Sequence, residues 1–416
     1  MIRDIRDQLN GRISWRKTFT ALRYPNYRLW FWGQMTSLFG TWMQMTALAY
    51  LTFEMTHSPT YLGYVGFANG VPTWLFMLYA GVVADRMSKR QLMIITQSAM
   101  MILAFILAGL TFLHIIQPWQ IIILSFLSGV TNAFDAPARQ AIVQDLVPYE
   151  DMTNAIALNA TMFNAATALS PALGGLTYAL FGPGWCFTIN GLSFLAIIAA
   201  LAVMKIAPAA VKTEHNSILA DLKEGLRYVA NHSMIRTIIS LIGVISLFGL
   251  SFATLVPAWA VKILGGNAAT NGILLSARGL GALIGALLIA SLGRFQFRGK
   301  LMTFGSFAFP ALLFIFSLMR WVPLSLVFLF GLGFAQILIL NLANASVQTL
   351  TPRELRGRVM GIYTFTFFGL MPIGALFIGG MAGRFSEPAA IWINVVIIAI
   401  FSGLIWMFVP KLRRLQ

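Results

Sequence analysis

From Leu29 to Val409 the chain is a nearly unbroken succession of apolar stretches, parted by short breaks of glycine, proline and charge. An α-helix needs about 20 apolar residues to cross a hydrocarbon core about 30 Å thick. Twelve windows of that size are present, at 29–53, 61–84, 92–114, 119–138, 155–181, 184–205, 236–261, 271–292, 301–320, 322–345, 359–383 and 388–409. Composition points the same way. The 416 residues are 58% hydrophobic and 10% charged, where a soluble domain carries roughly 25% charged residues. Such a surplus of apolar surface must face lipid, so the chain reads as an all-α membrane protein whose constant partner is the bilayer.

The basic residues lie in clusters. Arg86, Lys89 and Arg90 follow the second window, Arg294, Arg298 and Lys300 the eighth, Arg353, Arg356 and Arg358 the tenth, and Lys411, Arg413 and Arg414 the last. The opposite loops hold little beyond Lys262, Arg320 and Arg384. Cationic loops stay in the cytoplasm, so the pattern predicts a multi-pass protein of the cytoplasmic (inner) membrane with both termini inside. A net charge of +16 distributed this way serves orientation, and no nucleic-acid partner is expected. The first residues alternate Arg3, Asp4, Arg6 and Asp7 and lack the apolar core of a cleaved signal peptide. Cys186 is the single cysteine, which excludes an intrachain disulfide, and the histidines at 57, 114, 215 and 232 lack ligand spacing. No phosphate-cradling loop or nucleophile elbow is present, so neither cofactor, metal nor enzymatic activity is expected.

An internal repeat organises the chain. A shift of 204 residues superposes Val143, Gln144, Leu146, Pro148 and Glu150 on Val347, Gln348, Leu350, Pro352 and Glu354, and then Gly175 on Gly379 and Asn190 on Asn394. A shift of 209 pairs Gly40 with Gly249, Gly63 with Gly272 and Gly70 with Gly279. Each unit holds six windows, so the repeats are parallel, and the fold expected is 12 transmembrane helices in two pseudo-symmetric six-helix bundles with a cavity between them. The corresponding segments are a cytoplasmic start at 1–28, a bundle at 29–206, a linker at 207–234, a second bundle at 235–410 and a tail at 411–416. Within the linker, Ile218, Leu219, Leu222, Leu226 and Val229 recur at helical spacing opposite Asp221, Lys223, Glu224 and Arg227, as in an amphipathic helix lying on the inner leaflet.

The segment Gly81-Val-Val-Ala-Asp85-Arg86-Met-Ser-Lys89-Arg90 resembles the loop signature of the major facilitator superfamily, with Ser88 where that family usually has glycine. Ser170-Pro171-Ala-Leu-Gly174-Gly175 is similar to the helix-five signature of the superfamily's antiporters. The residues Asn132 to Gln140, Leu146-Val-Pro148, Asn154 to Asn159, Gln34, Ser37, Gly40, Trp42 and Thr56-His57-Ser58-Pro59 look like its drug-and-siderophore exporter branch. This resemblance implies the major facilitator fold, alternating access and export coupled to proton antiport, with Gly81, Pro171, Gly174 and Gly175 as packing positions and Asp85, Arg86 and Arg90 as gating charges. The arginine that many of these antiporters carry four residues before a helix-four glycine is Ser125 here, ahead of Gly129, so that relay does not carry over.

Charged side chains inside a span are costly and point to function. Ser125, Ser128, Asn132, Asp135 and Arg139 follow one another at spacings of three and four, forming one polar stripe. Two readings of Asp135 stand: a proton carrier, or one half of an inner latch with Arg139. Arg278 lies two turns into its window, where the repeat mate is Asn69. As a permanent cation it suits an anionic group on cargo or a carboxylate on another helix. Glu54 is placed as an outer gate or a solvated helix end. Gln34, Ser37 and Gln44, with Asn341 and Asn344, form further polar faces that are expected to line the cavity with Ser128, Asn132 and Arg278. The function expected is a monomeric secondary transporter that exports amphipathic small molecules, drug-like or siderophores, against protons. A lipid or lysolipid flippase of the same fold and a non-transporting sensor or scaffold are the alternatives.

Overall fold

The computed structural model describes residues 19–204, 218–292 and 298–414. Thirteen helices are numbered here: α1 Pro25–Thr56, α2 Pro59–Arg86, α3 Lys89–Phe112, α4 Pro118–Leu146, α5 Met152–Phe181, α6 Pro183–Val203, α7 Ile218–Asn231, α8 Ser233–Ile263, α9 Ala268–Leu292, α10 Arg298–Leu318, α11 Val322–Leu350, α12 Arg356–Arg384 and α13 Glu387–Phe408. The first 18 residues, the first part of the linker (207–217) and the Gly293–Arg294 loop lie outside the described residues, as do the side chains of Asp85 and Arg86.

Nine of these helices are long and apolar enough to cross a membrane. The chain is thus an all-α, multi-span membrane protein. α1, α2 and α5 are of similar length but richer in Gln, Asn, Thr, Ser and Gly, the composition of helices that pack on protein more than on lipid. Helices also outrun their apolar windows: α4 continues from 138 to Leu146 and α11 from 345 to Leu350. Apolarity reports the hydrocarbon, whereas the helix continues into the polar interface. Proline opens α1, α2, α4 and α6, where its missing N–H costs nothing.

Buried apolar side chains segregate by position in the chain. The largest cluster draws on residues from Val229 to Leu412, and a second on residues from Ala21 to Met204. A third group, from Met43 to Phe187, takes in Ala268, and a small fourth, Phe53, Leu62 and Ala258, also bridges the two parts of the chain. α8 is irregular: a π turn at Ile245–Gly249 leads into a 3-10 stretch at Leu250–Leu255, and a second π turn covers Trp259–Ile263. Pro257 removes one backbone donor there, and such breaks in a long helix often mark a hinge.

Two crossings join the first six long helices to the last six. In one, α2 meets α12 through Gly63 and Gly379, where a Cβ on Gly379 would stand 2.8 Å from the Pro59 carbonyl and 2.9 Å from the Gly63 Cα. In the other, α9 meets α5 through Gly272 and Gly175, where a Cβ on Gly175 would stand 2.9 Å from the Gly272 Cα. These are the glycines that the repeat pairs with one another. One turn-pair further on, Gly70 abuts Pro372, and Gly279 abuts Thr167 and Ala168.

Both α2 and α12 carry a glycine five turns beyond the crossing on the same face, Gly81 and Gly361, since 18 residues is a whole number of turns. Among the described residues nothing lies within 4 Å of a Cβ built on either. The pair is therefore in contact at one end and parted at the other. The parted end carries Lys89, Arg90, Arg356 and Arg358, and is called the basic end below.

Candidate functional site

The candidate site is a buried polar cluster shared by α4, α3 and α1. On α4, Asp135 is fully buried. Its Oδ1 accepts hydrogen bonds from Thr96 Oγ1 at 2.8 Å and Gln97 Nε2 at 2.9 Å, both on α3. Ser37 of α1 donates to Gln97 Oε1 at 3.3 Å, extending the chain of polar contacts over three helices. The second oxygen, Oδ2, has no hydrogen-bond partner, and the Arg139 guanidinium stands 3.7 Å away. Gln34, one turn before Ser37, is also buried, with an unbonded Oε1. Thr96 and Gln97 were not singled out by their sequence pattern; two adjacent polar residues inside the apolar window 92–114 were the available signal.

The other expected positions distribute as follows. Ser128 is half-buried and Asn132 exposed on the same helix. Gln44 accepts from Asn190 Nδ2 at 2.8 Å and so joins α1 to α6. Asn394, the repeat mate of Asn190, donates to the Phe248 carbonyl at 2.7 Å. On α11, Asn344 accepts from Gln348 at 2.6 Å, and Asn341 is half-buried. Gly174 packs against Met43 of α1, and Pro171 offers its carbonyl to the face of Gly272. Gly81, expected to allow close helix contact, has no neighbour within 4 Å of a Cβ among the described residues, because α2 has parted from α12 at its level.

At the basic end, Lys89 pairs with Asp145 at 2.8 Å, and Arg90 donates to the Leu201 and Ala202 carbonyls at 2.5 and 2.6 Å, capping α6. Tyr24 donates to Asp151 at 2.7 Å, tying the start of α1 to that of α5, and this bond holds the phenol above its usual pKa. Arg358 of α12 meets Glu224 of α7 at 2.6 Å. At the opposite end, Glu54 accepts from Tyr178 Oη, and Lys262 bridges Glu387 at 2.9 Å while its ammonium lies 5.4 Å from the Phe53 ring centroid. Lys262 thereby contacts α1 and α13 together, a junction outside the sequence expectations.

Arg278 of α9 has no ion pair or hydrogen bond among the described residues, and its guanidinium lies 5.7 Å from the Phe252 ring centroid. No group of three or more His, Cys, Asp and Glu able to hold a metal occurs among the described residues. Two surface grooves, of about 640 and 280 Å³, lie between α1 and α6 and between α8 and α12. Both are lined mainly by apolar residues.

Helix content and paired glycine crossings are those of a multi-span membrane protein of the major facilitator type, a class of membrane transporters. The chain belongs to the transmembrane secretion effector family of that superfamily, whose family model matches residues 16–416. It is a secondary transporter of small molecules rather than an enzyme. It is 26% identical to the enterobactin exporter EntS of Citrobacter koseri over 415 residues, covering 98% of this chain and 97% of that protein. It is 28% identical over 252 residues to the staphyloferrin A transporter of Staphylococcus aureus, a match that spans 60% of this chain and 63% of the relative's length. Among solved structures it is similar to a point variant of the nucleoside transporter NupG, with a TM-score of 0.72, 14% identity and coverage of 93% of this chain and 100% of the other. That likeness concerns the fold.

Proposed function

We propose that this protein exports amphipathic small molecules, drug-like or siderophores, across the cytoplasmic membrane by alternating access, in exchange for protons. Twelve spans form two six-helix halves, residues 29–206 and 235–410, with both termini cytoplasmic, the basic end facing inward and the chain acting as a monomer. The observation that carries the reading is the pair of repeat-related glycine crossings, closed where Gly63 meets Gly379 and open by Gly81 and Gly361. A two-ended molecule with one end shut and the other parted is one of the two states that alternating access requires. The match to exporters over nearly the full chain supports the direction and the cargo range.

Proton coupling rests on Asp135. It is a fully buried carboxylate with one oxygen free of hydrogen bonds, inside a helix apolar enough to span. Its neighbour Arg139 keeps the gating role open to the same pair, with Lys89, Arg90 and Asp145 beside it at the basic end. Counterflow in proteoliposomes tests the function, using a panel of siderophores, antibiotics and lysolipids with and without a pH gradient. Flux that responds to the gradient in the wild type and ignores it in Asp135→Asn supports proton exchange through this carboxylate. Unchanged coupling removes Asp135 as carrier, lysolipid movement alone makes the protein a flippase, and no flux of any kind makes it a sensor or scaffold.

A further inference from the structure

Arg278 is the eleventh residue of a 25-residue helix, so it sits ~15 Å along the axis from the start of α9. That is half the thickness of a bilayer core. Of the cations among the described residues it lies farthest from a helix end.

The seat it occupies does not require charge. In the first half, the matching backbone carbonyl of Asn69 is pressed against Gly129 of α4, and in the second half that of Arg278 is pressed against Gly333 of α11. Gly129 and Gly333 are themselves 204 residues apart, so the same helix contact is built twice. At Asn69 the side chain is used locally, donating from Nδ2 to the Ser125 carbonyl at 3.2 Å. At Arg278 the longer side chain leaves that role and reaches the Phe252 ring, with no carboxylate or carbonyl taking up its five N–H groups. A ring face offsets only a small part of the cost of a cation at this depth. On the same face of α9, two turns away, Asn271 is fully buried with neither amide atom hydrogen-bonded.

We propose that Arg278 is a binding residue for the cargo and that it holds an anionic oxygen group of the carboxylate class. The inference rests on the transport reading given above and deepens it by naming the charge of the cargo. The guanidinium keeps its proton in a protein interior, and its planar fork matches two carboxylate oxygens, so the anion completes a site that the protein leaves half-made. Phe252 offers an apolar surface beside that fork. An aromatic or branched apolar body next to one anionic group is the cargo shape these residues accept.

The test uses the purified full chain and three matched probes: 1-naphthoate, its neutral carboxamide, and 1-naphthylmethylammonium. Thermal stabilisation is read for the wild type, Arg278→Lys and Arg278→Asn, the last being the residue that the other half carries at this seat. The wild type should bind naphthoate about tenfold or more tightly than the carboxamide, Arg278→Lys should keep part of that preference and Arg278→Asn should lose it. Equal binding of all three probes by the wild type, or an undiminished preference in Arg278→Asn, overturns the proposal. Were Arg278→Asn not to fold, the wild-type ranking and the partial loss in Arg278→Lys would still decide. Counterflow of the same probes in liposomes separates the two readings. Selective naphthoate binding without any flux leaves the anion site standing and removes the transporter reading.

Discussion

Asp135 shows how much one buried carboxylate depends on neighbours that its own helix cannot supply. Thr96 and Gln97 both donate to Oδ1, and Arg139 stands 3.7 Å from Oδ2. Asp135→Asn keeps an oxygen for the two donors, so the protein should fold and carry cargo while its response to a pH gradient disappears. Asp135→Ala leaves the buried Gln97 amide and a cation without their acceptor, while Thr96 can turn to the Met93 carbonyl 3.1 Å away; it should cost about 3 kcal/mol, seen as a lowered unfolding temperature in detergent. Lys262 and Glu387 pose the same question at the other end. The Glu387 side chain is 8% exposed, so Lys262→Met should destabilise by about 2 kcal/mol, and Lys262→Arg should restore most of it. The stripe on α4 was legible because residues three and four apart share a helix face. The α3 partners were not, since no spacing rule within one helix tells which neighbour will face it. Lys262 and Glu387 were hidden for a related reason: each reads as an ordinary charge at a helix end, and only packing brings them together.

Among the elements, the glycine crossings explain why α2 and α12, and α5 and α9, touch so closely. Without a hydrophobic drive between helices in lipid, close backbone approach and van der Waals contact must supply the attraction, and only glycine allows it here. A Cβ branch on Gly175 or Gly379 should therefore wedge the closed end apart. Gly175→Val and Gly379→Val should act alike, because the repeat places them in equivalent crossings. Labelling of a single cysteine introduced at Phe365, which is 50% exposed on α12, should fall about fivefold or more in either variant as the basic end closes. The native Cys186 is buried and free, so it adds little background. The repeat was readable from the two shifts, down to the pairing of Gly63 with Gly272 and of Gly175 with Gly379. That each glycine meets one from the other pair is a tertiary fact, set by the antiparallel course of α2 against α12 and of α9 against α5. Helix ends were less legible, since α4 and α11 run past their apolar windows.

At the scale of the whole molecule, the sequence between the halves is more than a tether. α7 lies against the start of α12, with Gly225 beside Ile362 and Arg358 and with Glu224 paired to Arg358. The Glu224 side chain is 56% exposed, so the pair is worth about 0.5 kcal/mol and Glu224→Gln should leave the unfolding temperature almost unchanged. Its effect should appear instead in rates, as faster counterflow, if release of α7 frees the first turns of α12. The amphipathic pattern of this helix was clear in the sequence, whereas its choice of α12 as a seat was not. The crossings impose a mechanical consequence on all of this. From Gly70 to Arg86 α2 runs 16 residues, an arm of ~24 Å at 1.5 Å per residue. A tilt of about 15° at such a fulcrum swings the arm's tip by about 6 Å, roughly the width of an aromatic ring. Under the alternating access proposed above, the stroke is set by how far a pair of glycine contacts can pivot, and a stiffer fulcrum would shorten it without touching a single residue that meets the cargo.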